Sequence, residues 1–244
     1  MTKTSIIIPT YNGLRQLRNC VDSIRQHTPE HYELIVIDNA STDGTAAYCR
    51  REKITFISLP DNRGFPAACN LGLRLAAGDE LLLLNNDVVV SGGWLGRMRQ
   101  ALYSAPDIGL VGPVTNYASG RQQVETSYAD LAGFHAEARR LAEGPPRRIQ
   151  VQRLVGLCLL FRRSLLDRAG LLDEGFSPGH YEDDDYCYRT RLLGFRLLIC
   201  ADVLIHHEGS ASFRTVYPAG FQEVVERGRQ RFMEKWNRDP AEFM

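Results

Sequence analysis

Residues 81–90 read LLLLNNDVVV. Seven of the ten are aliphatic, and Asn85, Asn86 and Asp87 interrupt them. A buried strand does not carry an ionised carboxylate alone, because stripping its water costs several kcal/mol. The aliphatic run has the length of a strand. Asp87 therefore marks a strand terminus, where it meets a partner or a ligand.

The same pattern recurs on the N-terminal side. TSIIIP (4–9) leads to Pro9-Thr10-Tyr11-Asn12, ELIVID (33–38) to Asp38-Asn39, and ITFISL (54–59) to Asp61-Asn62-Arg63-Gly64. Between these strands, Leu14, Leu17, Val21 and Ile24 recur at helical spacing. Thr42 to Glu52 suits a short helix capped by Ser41 or Thr42, and Pro66 to Ala76 suits another, with Pro66 in its first turn. Gly93 to Tyr103 reads helical, and IGLVGP (108–113) is a fifth strand. Strands apolar on both faces, alternating with helices, predict an α/β doubly wound fold with a mostly parallel sheet. In such sheets ligands bind outside the carboxyl ends of the strands. Four separate stretches of chain thus send polar residues to one edge.

Residues 114–150 break the rhythm. TNYASGRQQ is polar, EGPPRR (143–148) is a linker signal, and Leu131 to Leu141 suits a helix between them. Neither flank has a complete core of its own, so the pause reads as an insertion within one domain over 1–244: a nucleotide-binding half at 1–113, the insertion, and an acceptor and catalytic half at 151–244. In that last part, Val151 to Phe161 returns to the sheet, and Ser164 to Ala169 and Asp184 to Leu193 are helices stopped by Gly170 and Gly194. Residues 196–205 hold two short strands. Phe221, Val225, Phe232 and Trp236 mark a C-terminal amphipathic helix.

The composition sets limits on function. The 244 residues carry 29 Lys+Arg against 29 Asp+Glu, a balance that argues against nonspecific nucleic-acid binding. No apolar run reaches the ~18–20 residues that span a bilayer, and MTKTSIIIPTYNG enters a strand without room for a signal peptide. The six cysteines are scattered without a C-x-x-C pair, which fits a reducing compartment. A cytoplasmic location follows as the expectation, with peripheral membrane contact left open.

The polar edge also has a chemistry. Tyr11 offers a face for stacking, Asp38 an acceptor for a base N–H, and Gly64 close backbone approach. Asp87 with Asn85 two positions before it is an oxygen site for Mg²⁺ or Mn²⁺, ions that also hold phosphates. Base, metal and phosphates together indicate a nucleotide. Neither G-x-x-x-x-G-K-[ST] nor a G-x-G-x-x-G after the first strand is present, which argues against a P-loop ATPase and a dinucleotide Rossmann domain. Farther along, YEDDDYCYR (181–189) places four acids at a helix start, where negative charge is favoured, and at least one of them can face the cleft as a general base. VLIHHEGSAS (203–212) brings a His directly after an apolar strand, suited to ligate the metal as neutral imidazole.

Together these stretches resemble the family 2 glycosyltransferases of the GT-A fold. SIIIPTYN, VIDNASTDGT, DNRGFPAACNLGLRLAAGDELLLLNND, YEDDDYCYR and IHHEGSAS match family motifs in the family's order, from about Thr4 to Phe213. The resemblance implies that Asn85-Asn86-Asp87 stands at the metal-binding D-x-D, with Asn in place of its first acid. It implies that Asp38 reads a pyrimidine ring, and that Pro9, Thr10 and Tyr11 flank base and ribose, with Asn12, Asn62, Gly64 and Asn86 on the donor side. Glu182-Asp183 matches the E-D pair whose Asp is the base of inverting members. His206, first after the strand, is the preferred match to a late metal-ligand His, and His207 is second. The implied reaction moves a sugar, of the hexosyl type, from a UDP- or dTDP-sugar to a hydroxyl of a glycan or lipid-linked glycan, with Mn²⁺ or Mg²⁺ on the diphosphate. TNYASGRQ further resembles bacterial members that build surface polysaccharide.

Each residue also has a plainer reading. Asp87 alone reads as a turn cap, Asp43-Gly44 as turn chemistry, Trp94 and Trp236 as core, and Asp185 as an i,i+4 partner of Arg189. Gly156 either approaches a ligand or allows a bend. A catalytically weak nucleotide-sugar-binding scaffold of the same fold is the alternative function. A sugar nucleotidyltransferase ranks below both, because TYNGLRQL lacks the Gly-rich loop with Arg and a following Lys.

Overall fold

The alternating aliphatics of the first half build four parallel strands in the order β3-β2-β1-β4. They are β1 (Thr4–Thr10), β2 (Tyr32–Asp38), β3 (Thr55–Ser58) and β4 (Glu80–Leu84), joined through α1 (Leu14–His27), α2 (Thr45–Arg51) and α3 (Phe65–Leu75). This computed structural model describes residues 2–209 and 220–243. Ser210 to Ser212 of the last motif, and Phe213, lie outside the described residues. Successive side chains leave a strand on opposite faces, so each strand feeds two cores. Ile6, Ile8, Val36, Leu82 and Leu84 pack towards α1, while Ile7, Ile35, Ile37, Leu81 and Leu83 pack towards α3.

The rest of the chain enlarges this sheet. β5 (Val88–Val89), α4 (Trp94–Leu102), β6 (Ile108–Thr115), α5 (Leu131–Ala142), β7 (Arg148–Val151) and β8 (Cys158–Arg162) come first. α6 (Arg163–Ala169), α7 (Glu182–Leu192), β9 (Arg196–His207) and α8 (Phe221–Trp236) follow. β8 lies antiparallel between β4 and β6, β6 and β9 are parallel, and β5 and β7 each pair antiparallel with β9. The result is a mixed, mostly parallel-stranded α/β sheet with helices on both faces. Among the described residues no helix is long and apolar enough to cross a membrane. All six cysteines are free and buried.

Register sets the site. Thr10 stands opposite Asp38, and Asp38 opposite Ser58, so the polar ends reach one level. Val88 pairs with His207 and Val89 with His206, which brings the end of β9 alongside Asp87.

Several boundaries differ from the sequence reading. The stretch expected to return to the sheet over Val151 to Phe161 is split, with β7 ending at Val151 and β8 beginning at Cys158. α2 begins at Thr45, because Gly44 is left-handed (φ 91°) and Asp43 accepts from the Thr45 N–H, while the Ser41 hydroxyl and the Thr42 N–H bond to Asn12 instead. α7 begins at Glu182, two residues before the expected Asp184. The two short strands expected at 196–205 are one strand, Arg196–His207; its pairing with β6 jumps from Cys200 to Leu204, so Ala201, Asp202 and Val203 form a bulge.

Candidate active site

A cavity of about 620 Å³ opens where the carboxyl ends of the strands meet the start of α7. One part of its lining is Pro9, Thr10, Tyr11, Asn85, Asn86 and Asp87, joined by His207. Another is Arg153, Gly156, Tyr181, Glu182, Asp183 and Asp184. Asn62 and Gly64 also face it.

At the strand-end side, the Asn86 amide donates to Thr10 Oγ1 at 2.8 Å and locks β1 to the end of β4. Asp87 Oδ1 lies 3.2 Å from His207 Nε2. His207 Nδ1 lies 2.8 Å from the Tyr117 carbonyl. A carbonyl only accepts, so Nδ1 carries the proton and Nε2 turns its lone pair to the carboxylate. Nε2 makes no aligned hydrogen bond, and neither does the buried Oδ1 of Asn85. Burial pulls the His207 imidazole down, but Asp87 and the Tyr117 carbonyl outweigh it and raise its pKa. Two lone-pair bearers face to face call for a cation between them, a proton or a metal ion. Two ligands of one octahedral ion at about 2.1 Å sit about 3 Å apart, so the pair fits a small divalent cation. Asn116 fixes His207 further: its Oδ1 accepts the His207 N–H at 2.8 Å and its Nδ2 donates to the His207 carbonyl at 3.1 Å.

His206 does not reach the cavity. Adjacent strand residues face opposite ways, and its Nδ1 meets the Tyr128 hydroxyl at 2.8 Å, with Phe134 packed beside the ring. The preference between the two histidines is therefore reversed. Two donor-side expectations move as well. Asp38 is fully buried beneath the cavity: it accepts from the Ser41 N–H at 2.9 Å and from the Ser58 hydroxyl at 2.8 Å. Asn12 (φ 47°) accepts from the Thr42 N–H and ties the loop after β1 to the loop after β2. Asn39, one residue beyond Asp38, lines the cavity instead and holds the Asp61–Gly64 turn through Arg63 N–H and the Gly64 carbonyl.

At the α7 side the backbone is strained. His180 (φ 75°) and Tyr181 (φ 70°) are consecutive left-handed residues with large side chains, a conformation that surrounding structure must enforce. The sharp entry buries all four acids that follow. Asp183 Oδ2 accepts from the Gly156 N–H at 2.7 Å and Oδ1 from the Asp184 N–H at 3.0 Å. A Cβ on Gly156 would stand 3.2 Å from Asp183 Cβ, so the glycine serves close approach to the acid. Arg153 Nε donates to Asp184 Oδ1 at 2.5 Å. Burial and Asp183 push the Asp184 carboxyl up to about 7, against the pull of Arg153. Burial, then Asp183, pushes Glu182 well above the usual range, and its Oε2 has no hydrogen-bond partner. Asp185 is structural: it pairs with Arg189, as expected, and accepts from Trp236 Nε1 at 2.9 Å, which docks α8.

Arg153, Tyr117 and Asn116 were not singled out from sequence, and Asn39 was named only as part of a polar strand end. The polar TNYASGRQQ segment was the visible signal for two of them, since Tyr117, Ala118 and Ser119 line the cavity. Among the described residues no three His, Cys, Asp or Glu side chains cluster as a metal site, so protein ligands alone do not complete one.

The family model for glycosyl transferase family 2 matches residues 5–170. The chain belongs to that family. It is 29% identical to an uncharacterised protein, y4gI, of Sinorhizobium fredii, over 97% of this chain and 28% of that protein. It is 28% identical to the O-antigen biosynthesis protein RfbC of Myxococcus xanthus, over 86% and 18%. The chain thus spans under a third of these two relatives. The low-salt glycan biosynthesis hexosyltransferase Agl10 of Haloferax volcanii is 24% identical, over 94% of this chain and 74% of that protein. A mannosyltransferase of Pyrobaculum calidifontis, solved with GDP-Man and Mn²⁺, superposes with TM-score 0.69 at 20% identity, covering 96% of this chain and 64% of that one. Staphylococcus aureus TarS, solved with UDP-GlcNAc, superposes with TM-score 0.65 at 18% identity, covering 95% and 66%. The fold is GT-A, as the sequence motifs implied.

Proposed function

We propose that this family 2 chain is an inverting glycosyltransferase of the hexosyl type, which moves a sugar from a UDP- or dTDP-sugar to a hydroxyl acceptor such as a glycan, a lipid-linked glycan or a polysaccharide precursor. The observation that carries the reading is the cavity that unites Asp87 and His207 with Asp183. Within the single domain, residues 1–113 serve the nucleotide, 151–244 the acceptor and the chemistry, and 114–150 supply a variable insertion.

Pro9, Thr10, Tyr11, Asn62, Gly64 and Asn86 form the donor wall, and Asn12 and Asp38 hold its loops from behind. Asp87, His207 and Asn85 would hold the divalent ion, Mn²⁺ or Mg²⁺. His207 takes the role that His206 was expected to fill. Bound there, the ion supplies charge neutralisation for the departing diphosphate. Asp183 takes the proton of the acceptor hydroxyl, held in place by the Gly156 and Asp184 N–H groups. Glu182 stays behind it, and Arg153 balances the acids. Relatives solved with Mn²⁺ and with nucleotide sugars support this assignment.

Release of nucleoside diphosphate from a panel of UDP-, dTDP- and GDP-sugars, with Mn²⁺, Mg²⁺ or chelator, tests the reading. Turnover by Asp183→Asn at the wild-type rate overturns the base assignment. Asn85 at the first D-x-D position keeps one alternative in view, the non-catalytic scaffold. Calorimetry identifies it by nucleotide binding that ignores added metal and is accompanied by no turnover.

A further inference from the structure

A second cavity, about 340 Å³, lies beside the first. Its volume falls in the ~300–1,000 Å³ range of small-molecule sites. Ser119, Arg153 and Val155 line both cavities. The second contains none of Pro9, Tyr11, Asp87 or His207. It contains none of Glu182, Asp183 or Asp184 either, and its link to the acid side is Arg153, which bonds Asp184.

That placement has a chemical meaning under in-line displacement. The nucleophile must approach the anomeric carbon from the face opposite the departing diphosphate. With diphosphate held at Asp87 and His207 and the acceptor proton taken by Asp183, the remainder of the acceptor extends beyond Asp183. Arg153, joined to Asp184 and also donating to Ser119 Oγ at 2.9 Å, is the wall shared along that path.

The lining suits a polyhydroxylated ligand. Gln150, Gln152 and Arg121 are exposed, and each is a polar side chain able to bond hydroxyls. Phe243, packed against Tyr188 and under Arg191, contributes an aromatic ring from the C-terminal 3₁₀ turn Pro240–Phe243. Gln122 is already engaged by the Pro113 carbonyl and the Val155 N–H, and so serves as floor.

We infer that this second cavity is a saccharide subsite for the acceptor, which holds the sugar unit behind the one that presents its hydroxyl to Asp183. The inference rests on the glycosyltransferase reading above. It makes the preferred acceptor a glycan of two or more units.

The test uses the full chain with Gln150→Trp, which fills the cavity, and Arg121→Ala, which thins its exposed rim. The probes are free glucose, galactose, mannose, rhamnose and N-acetylglucosamine, with their β-linked disaccharides. Saturation-transfer NMR in the presence of UDP and Mn²⁺ reads binding, and nucleoside diphosphate release reads transfer. The expected result is a disaccharide that binds more tightly than its monomer. Its half-saturating concentration rises about tenfold in Gln150→Trp and less in Arg121→Ala, while UDP affinity stays at the wild-type value. Monomer and dimer binding alike, no saccharide binding at all, or a disaccharide response untouched in both variants overturns the subsite. Absence of nucleotide binding in the wild type is the separate result that sinks the parent reading. If Gln150→Trp does not fold, Arg121→Ala carries the test alone.

Discussion

The two sides of the cleft are built on opposite principles. The strand-end side is set by sheet register. Asn86 bonds Thr10, Val88 pairs with His207, and Asn116 clamps the His207 backbone. Its one carboxylate faces one imidazole at 3.2 Å. The α7 side is set by a strained turn. Two left-handed residues drive Glu182, Asp183 and Asp184 into the interior against the guanidinium of Arg153. The first side is short of positive charge until a ligand arrives. The second crowds three acids together whether or not a ligand is bound, and the fold bears the cost of ionising them. This difference separates function from stability: substitutions on the first side should act on binding, and substitutions on the second on catalysis and folding together.

The largest expected effect is at the base. Asp183→Asn keeps the shape and one of the two backbone contacts, since an amide nitrogen cannot accept from the second N–H, but removes the proton acceptor, and transfer should fall about 10²–10⁴-fold. Nucleotide affinity should stay unchanged, as read by calorimetry beside a steady-state assay. A loss of affinity equal to the loss of rate would erase the division between the two sides.

Arg153 probes the charge imbalance itself. Arg153→Met leaves Asp184 buried without its partner and should destabilise the protein by about 3–5 kcal/mol, measured by urea unfolding. Adding Asp184→Asn should recover part of that loss, because the orphaned carboxylate is then gone. Equal losses in the single and double variants would mean that Arg153 acts through its contact with Ser119 and not through charge.

On the strand-end side, the histidines give a matched pair. His207→Ala should weaken UDP binding in Mn²⁺ by about tenfold or more and leave binding in chelator unchanged. His206→Ala, which loses the contacts with Tyr128 and Phe134 away from the cavity, should leave both unchanged. The reverse outcome would restore the reading taken from the sequence.

That reversal shows how far the sequence reaches. Aliphatic runs and their polar ends are local signals, so β1, β2, β4 and the sites of Tyr11, Asn86 and Asp87 could be read directly. The choice between His206 and His207 depends on which face of β9 meets β5, and that register is set by Val88, 119 residues before His207 in the chain. Arg153 and Asp184 are 31 residues apart, and no spacing rule joins them. The position of Asp38 at a strand end was legible, but its depth was not. Ser41 and Ser58, which bond its two oxygens, come from the loop after β2 and from the end of β3.

The smallest expected effect tests the cost of the acid side. Glu182 is buried, with Oε2 unpartnered and its pKa held well up by burial and by Asp183. An acid with a higher pKa folded than unfolded binds more protons in the folded state between the two values, and stability falls as pH rises through that interval. The penalty is thus absent below the ordinary glutamate pKa and grows as pH climbs towards the folded value. Gln has similar shape and no charge at any pH. Glu182→Gln should therefore melt higher than wild type at about pH 8 and nearly equal to it at about pH 5, at about 2–4 °C for each kcal/mol relieved. Asp184, pushed up to about 7, remains in both proteins and is one of the charges that raise Glu182, so the difference reports position 182 together with that repulsion. A gain that is the same at both pH values would assign the effect to packing, and the acid side would then carry no charge penalty at this position.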